Sequence, residues 1–348
     1  MYYKSYKINL GENIIEINLE TLMIILSKMF GKKIINADYR TQQLKGGTVG
    51  DVKLVTGIAE ADNGEKLPYK VVLKIQKKWE RPGDPNSWRR EYDLYMSELD
   101  SLFDDSLRWA KCYHAEMDKN ETETQLWLEY IDGISGNDLT LEMLEKASEE
   151  MGRFQGRLYK QSPPILQDIS CLTVFDGVKG YYMYCRENVF NFINSEDCKI
   201  PKHLRQLLTD NDKNAETIFA NIEKFPAVLC HRDFWIENIF YTNGKIRLID
   251  WDSLGWGYLT ETIAQLIIDD TDAEKIEEYY QKLVPAYFKG ISEYMDISAI
   301  KNFYILELLI IKFIGYRLIY RYIYSDSEEI KNQQIIALQK LYDIKTKR

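Results

Sequence analysis

Leu22, Ile25, Leu26 and Met29 recur at helical spacing behind Asn18, a residue type that caps helix starts, and Gly31 follows as a stop. A helix from Asn18 through Met29 is therefore predicted. The period then changes. Across residues 33–76 the runs VKLVTGIAEA and YKVVLKIQ flank the polar turn DNGEKLP, and the glycine-rich loop KGGTVGD follows an earlier strand, which predicts an antiparallel meander. After the proline-rich loop ERPGDPNS, the segment SWRREYDLYMSELDSLF returns to helical spacing with Ser87 as its cap. Leu107–Met117 and Thr124–Tyr130 read as two more strands.

Beyond Asp132-Gly133 the pattern is helical to the end of the chain, interrupted only around residues 226–256, and no repeat or low-complexity tract occurs. A mainly β stretch followed by a mainly α stretch predicts an α+β, two-lobed fold. Residues 1–131 would form a lobe with an antiparallel sheet plus helices, and residues 132–348 a mainly helical lobe, with ligands in the cleft between them. Phe303–Tyr324 has the length of a membrane span. Glu307, Lys312, Arg317 and Arg321 fall inside it, however, and each would cost roughly 2.5 to 3.5 kcal/mol near a bilayer centre. A buried helix is predicted there, and no membrane partner.

Composition narrows the function classes. With 348 residues, 45% of them hydrophobic, the chain can bury the cores of two lobes. A formal net charge of -9 without any Lys/Arg-dense run argues against a nucleic-acid partner, since such proteins concentrate basic residues to displace counterions. The five cysteines are scattered, with no CxxC pair and no metal-ligand spacing, so neither a disulfide framework nor a zinc site is expected. The amino terminus lacks the continuous apolar core of a signal peptide, which points to a cytoplasmic protein. Oligomeric state is not legible.

The chemistry concentrates in PAVLCHRDFWIENIFYTNGKIRLIDWDSLGWG. Asp233 and Asn238 share a short loop, and a hairpin whose Asn243-Gly244 pair suits a type I′ turn returns Asp250 beside it. Phosphoryl transfer to a hydroxyl needs a carboxylate to take or orient the hydroxyl proton, and oxygen ligands to hold magnesium against the phosphates. Asp233 supplies the first, as catalytic base; Asn238 and Asp250 supply the second. Any one of these residues alone is ordinarily a turn former; the three together are not. His231 reads as a buried imidazole bonded to nearby backbone, and Asp252 as a neighbour able to touch a second metal or face water.

HxDxxxxN followed by a strand ending in Ile-Asp resembles the aminoglycoside phosphotransferase and choline kinase family, distant relatives of protein kinases, and His231-Arg232-Asp233 echoes the protein-kinase signature as well. The resemblance spans residues 40–270. It implies a protein-kinase-like fold, magnesium, and ATP or GTP as co-substrate. It further implies that Lys74 in VVLKIQ contacts the α- and β-phosphates, with Glu91 on the next helix as its ion-pair partner and Glu98 as the second choice. LWLEYIDG resembles the family's hinge, where main-chain groups near Glu129 and Ile131 would meet the purine. In KGGTVGD, Gly47 and Thr48 are candidate nucleotide contacts, although the spacing departs from GxGxxG.

The same resemblance puts a small-molecule acceptor against the second lobe, where Trp256, Tyr258, Glu261 and Asp269, with Asp270 and Asp272 nearby, would suit an aminoglycoside or another amine-bearing alcohol by charge and cation-π attraction. Glu261 stands where the family often has Asp. Two alternatives stay open. A protein Ser/Thr kinase shares the catalytic parts, but no Ala-Pro-Glu follows Asp250. A non-catalytic nucleotide-binding or assembly module would keep the fold without turnover.

Overall fold

Asn18 caps the first helix: its Oδ1 accepts from the N–H groups of Glu20 and Thr21 at 2.8 and 3.2 Å. Helix α1 runs Leu19–Phe30, and Gly31 leaves it at φ +63°, a left-handed conformation that glycine adopts without steric cost. The computed structural model describes residues 17–44, 50–79, 84–172, 177–268, 271–298, 303–313 and 318–347. The chain divides into two compact units, Met1–Ser101 with Trp109–Asp132, and Leu102–Arg108 with Gly133–Arg348.

In the first unit α1 is followed by β1 (Ile34–Ala37), β2 (Arg40–Gln43), β3 (Gly50–Ala61), β4 (Lys66–Lys77) and α2 (Ser87–Tyr95). After the short β5 (Leu107–Trp109) come β6 (Cys112–Met117) and β7 (Glu123–Glu129). The strands pair antiparallel in the order β1-β3-β4-β7-β6, with β2 also on β3. Leu22, Ile25 and Leu26 of α1 pack with Val55, Tyr69, Val71, Leu73, Ile75 and Trp127 to form the core of this unit. The central strand β4 therefore buries alternate residues while it carries Lys74 along its length.

Three expectations shift. Ser87 is the first residue of α2 rather than its cap; Asn86 occupies the cap position without a side-chain bond. The predicted long helix stops at Tyr95, because the Ser97 hydroxyl donates to the Leu94 carbonyl and then accepts from the Leu99 N–H, which turns the chain into a short 3-10 segment at Leu99–Leu102. The run predicted as one strand from Leu107 to Met117 is broken into β5 and β6.

The second unit contains β8 (Ile134–Ser135), α3 (Leu141–Gln161), α4 (Ile165–Asp168), α5 (Gly177–Ile193), α6 (Lys202–Lys213) and α7 (Ala215–Ile222). Strands β9 (Ala227–Cys230), β10 (Ile239–Thr242), β11 (Lys245–Leu248) and β12 (Gly255–Tyr258) follow. The chain then ends in α8 (Glu261–Ile268), α9 (Ile276–Ser292), α10 (Phe303–Phe313), α11 (Ile319–Tyr324) and α12 (Glu328–Thr346). Residues 102–108 belong here because the Ser106 carbonyl accepts from Ile246 N at 2.8 Å and Asp105 pairs with Lys245. Helix α3 crosses α9 at backbone contact. A Cβ on Gly152 would lie 2.2 Å from the Tyr287 carbonyl oxygen, and one on Gly290 would lie 2.0 Å from that of Glu149, so the crossing requires glycine on both helices. Among the described residues no helix is long and apolar enough to cross a membrane; the run from Phe303 contains α10 and α11, with residues 314–317 outside the described residues.

Candidate active site

The loop carrying Asp233 and Asn238 hangs between two small β-structures. Strand β9 pairs with β12, Cys230 opposite Gly255, and the β10–β11 hairpin closes through Asn243 (φ +49°) and Gly244 (φ +80°), the two positive φ values a type I′ turn requires. The Ile249 N–H donates to the Asn238 carbonyl at 3.2 Å, so the hairpin delivers Asp250 next to the end of the loop that begins at His231. Asp250 sits at φ +62° and Arg232 at φ +65°. Both are L-residues in left-handed backbone, a conformation that costs of order 1 to 3 kcal/mol and persists only where the surroundings enforce it.

Those surroundings are side chains bonded to the loop backbone. His231 donates from Nε2 to the Ile249 carbonyl at 3.1 Å and accepts at Nδ1 from the Asp233 N–H at 3.3 Å, a pairing that fits the neutral Nε2–H tautomer. Its ring lies 4.3 Å from that of Trp251, which is fully buried and donates to the Leu248 carbonyl at 3.2 Å. Asn238 Nδ2 donates to Asp233 Oδ2 at 2.7 Å and to the Asp233 carbonyl at 2.9 Å. Arg232 Nη2 donates to the Trp256 carbonyl. From α8, Gln265 reaches the same loop with both ends of its amide.

Below the loop, Gln155 Nε2 donates to the Leu229 carbonyl at 2.8 Å and to Thr262 Oγ1 at 3.1 Å, and the Tyr287 hydroxyl donates to Gln155 Oε1. Burial holds the Tyr287 phenol well above its usual pKa, so it stays a donor. Neither glutamine was marked by the sequence. All of α8 from Glu261 to Ile268 is buried, so an amphipathic period that would single out a polar position is missing.

In the first unit, Lys74 Nζ lies 2.6 Å from Glu91 Oε2, with side chains 13% and 6% exposed. Glu98 is exposed, so Glu91 is the partner. Burial pushes the nearby Cys112 thiol up to about 12, and Tyr95 is also held well above its usual value, first by burial and then by the Glu91 charge. Both stay neutral, and Lys74 meets the Glu91 carboxylate. At the end of β7, Glu129 spends its N–H on the Lys111 carbonyl (2.8 Å) and its carboxylate on the Lys111 N–H (3.0 Å). Among the described residues, the buried Ile131 makes no backbone hydrogen bond.

The other candidates fall as follows. Gly47, Thr48, Asp269 and Asp270 lie outside the described residues. Trp256 and Tyr258 are half-buried on β12, and Asp272 caps the turn before α9 by accepting from Glu274 N. Glu261 is 2% exposed, and its Oε2 accepts from Tyr258 N at 3.3 Å, closing the turn from β12 into α8. Asp252 accepts from the Ser253 hydroxyl at 2.7 Å.

The donor set fits magnesium. Asn238 commits its amide nitrogen to Asp233, which turns its oxygen to the opposite side, and Asp250 adds a carboxylate. No cluster of three or more His, Cys, Asp or Glu suited to a metal occurs among the described residues. An amide oxygen and a carboxylate are hard oxygen ligands of the kind magnesium takes when phosphates and water complete its shell.

A model of the phosphotransferase enzyme family (APH) matches residues 117–296. No curated protein matches the sequence. Among solved structures, a choline kinase from Cryptosporidium parvum superposes with a TM-score of 0.56 at 17% identity, covering 89% of this chain and 90% of that one. The GDP and kanamycin complex of APH(2″)-IIIa gives 0.59 at 13% identity, covering 94% and 99%. An ethanolamine kinase from Plasmodium vivax gives 0.50 at 16%, covering 97% and 92%. At these identities the likeness establishes the kinase-like α+β fold.

Proposed function

We propose that this chain, which belongs to the phosphotransferase enzyme family, transfers the γ-phosphoryl group of ATP or GTP to a hydroxyl of a small amine-bearing alcohol. The observation that carries the reading is the Asn238–Asp233 bond with Asp250 delivered alongside by the hairpin. One loop then offers a proton acceptor and hard oxygen ligands side by side, and turn formation alone does not call for that combination.

In this mechanism Asp233 accepts the proton of the acceptor hydroxyl as its oxygen bonds to the γ-phosphorus. The bond from that phosphorus to the β–γ bridging oxygen breaks, and the nucleoside diphosphate leaves with the electron pair. Lys74, oriented by Glu91, steadies the α- and β-phosphates. Main-chain groups at Ile131, near Glu129, meet the purine edge. Asn238 Oδ1 and Asp250 would hold magnesium, which when bound would supply neutralisation of phosphate charge.

The acceptor lies by Trp256 and Tyr258, with Glu261 closing the turn from β12 into α8. The structurally similar proteins include kinases of choline and ethanolamine and an enzyme holding kanamycin, which supports an alcohol bearing an amine. A protein acceptor is disfavoured by the short interval between Asp250 and α8 at Glu261, which leaves no room for a long activation segment. The test is magnesium-dependent nucleotide consumption screened over choline-like alcohols, amino alcohols, aminoglycosides and sugars. Consumption that requires one such alcohol and disappears in Asp233→Ala supports the reading. An Asp233→Ala protein as active as the wild type rejects it.

A further inference from the structure

Gln265 projects from α8 onto the peptide units on either side of Asp233. Its Nε2 donates to the Arg232 carbonyl at 2.9 Å, and its Oε1 accepts from the Phe234 N–H at 3.1 Å. The carbonyl of one residue and the N–H of the residue two later are the pair that a neighbouring parallel strand would engage, and a carboxamide carries the matching donor and acceptor. Gln265 thus pairs with the loop as a strand would, in a stretch that no strand pairing covers.

The geometry is built and shielded. Gln265 is 4% exposed, and the groups it holds bracket the catalytic carboxylate. Other backbone groups of Asp233 are held from within the loop, its N–H by His231 and its carbonyl by Asn238. Gln265 holds the loop from α8, and it acts on the carbonyl of Arg232, a residue in left-handed backbone that depends on its surroundings. Rotation of either flanking peptide would swing the Asp233 Cα–Cβ bond and carry the carboxylate off line.

We infer that Gln265 is a positioning residue for proton acceptance by Asp233, setting turnover rather than nucleotide affinity. This rests on the phosphotransferase reading above. The test uses the full chain as wild type, Gln265→Leu and Gln265→Glu, with phosphate release from magnesium-ATP and magnesium-GTP, water being the acceptor. Gln265→Leu should lower kcat about 10- to 100-fold, the penalty expected for a misplaced catalytic group, with nucleotide KM within about twofold. Amide exchange at Phe234 should quicken in that variant while β9 and β10 keep their protection.

Gln265→Glu gives a sharper signature. An ionised carboxylate cannot donate to the Arg232 carbonyl, whereas the neutral acid restores both a donor and an acceptor. Its kcat relative to wild type should therefore recover as pH falls from about 8 to about 5.5, the range into which burial raises a carboxyl pKa. This arm decides the matter should Gln265→Leu fail to fold. An active wild type with an equally active, folded Gln265→Leu overturns the role of Gln265 alone, as does a pH-independent ratio for Gln265→Glu. A wild type that neither binds nor hydrolyses either nucleotide overturns the phosphotransferase reading instead.

Discussion

Asn238 holds Asp233 twice, through the carboxylate at 2.7 Å and through the main-chain carbonyl at 2.9 Å. One amide therefore fixes the proposed base from both its carboxylate and its main chain. Asn238→Ala removes both effects. Turnover should fall on the order of 100-fold, the range typical of a displaced acid–base group, and the magnesium concentration for half-maximal rate should rise. A magnesium titration of the variant checks this, and an unchanged titration curve would remove Asn238 from the metal.

The Lys74–Glu91 pair is nearly buried, so its two charges depend on each other more than a surface pair would. Glu91→Ala takes the carboxylate from Lys74 and should destabilise the first unit by on the order of 3 kcal/mol. Nucleotide affinity should weaken at the same time. Urea unfolding and equilibrium nucleotide binding measure the two effects. A loss of affinity without a loss of stability would mean that Glu91 touches nucleotide rather than orienting Lys74.

Much of this was legible because it is local. Asn18, the apolar period behind it and Gly31 specify α1 within a few residues, and Asn243-Gly244 specifies its turn by backbone preference alone. Asp233, Asn238 and Asp250 were legible because one short loop and one hairpin carry all three. What stayed hidden depends on distant contacts. Residues 102–108 join the second unit through bonds to Lys245 and Ile246, which no local pattern announces. Gln265 lies in a helix buried on every side, where its polarity resembles an accident of composition until the loop backbone is seen against it. The end of α2 was misread because Ser97 competes for backbone groups within a stretch of otherwise good helix formers.

Arg232 combines a left-handed backbone with a side chain that donates to the Trp256 carbonyl. Arg232→Ala keeps the strain and loses the hydrogen bond, and should cost about 1 to 2 kcal/mol. Arg232→Gly also loses the bond but relieves the backbone by about 1 kcal/mol, since glycine enters this region without a Cβ penalty. The glycine variant should therefore melt above the alanine variant. Equal melting temperatures would show that the positive φ carries no cost at this site.

Glu307 on α10 presents the reverse case, a charge the fold does not favour. Its Oε2 is buried and makes no hydrogen bond among the described residues, and burial raises its pKa, although the positive charge of Lys345 pulls the other way. A carboxyl that ionises later in the folded chain than in the unfolded one contributes stability that is fully present below the unfolded value. That contribution is lost as pH rises through the folded value, because the folded chain binds the extra proton in between. Glu307→Gln is neutral at every pH and should melt about 2 °C or more above wild type near pH 7, with the gap closing toward pH 4 as the wild-type carboxyl protonates. Melting curves of both proteins across that range decide it. A gap of the same size at both ends would trace the effect to packing rather than to the buried charge.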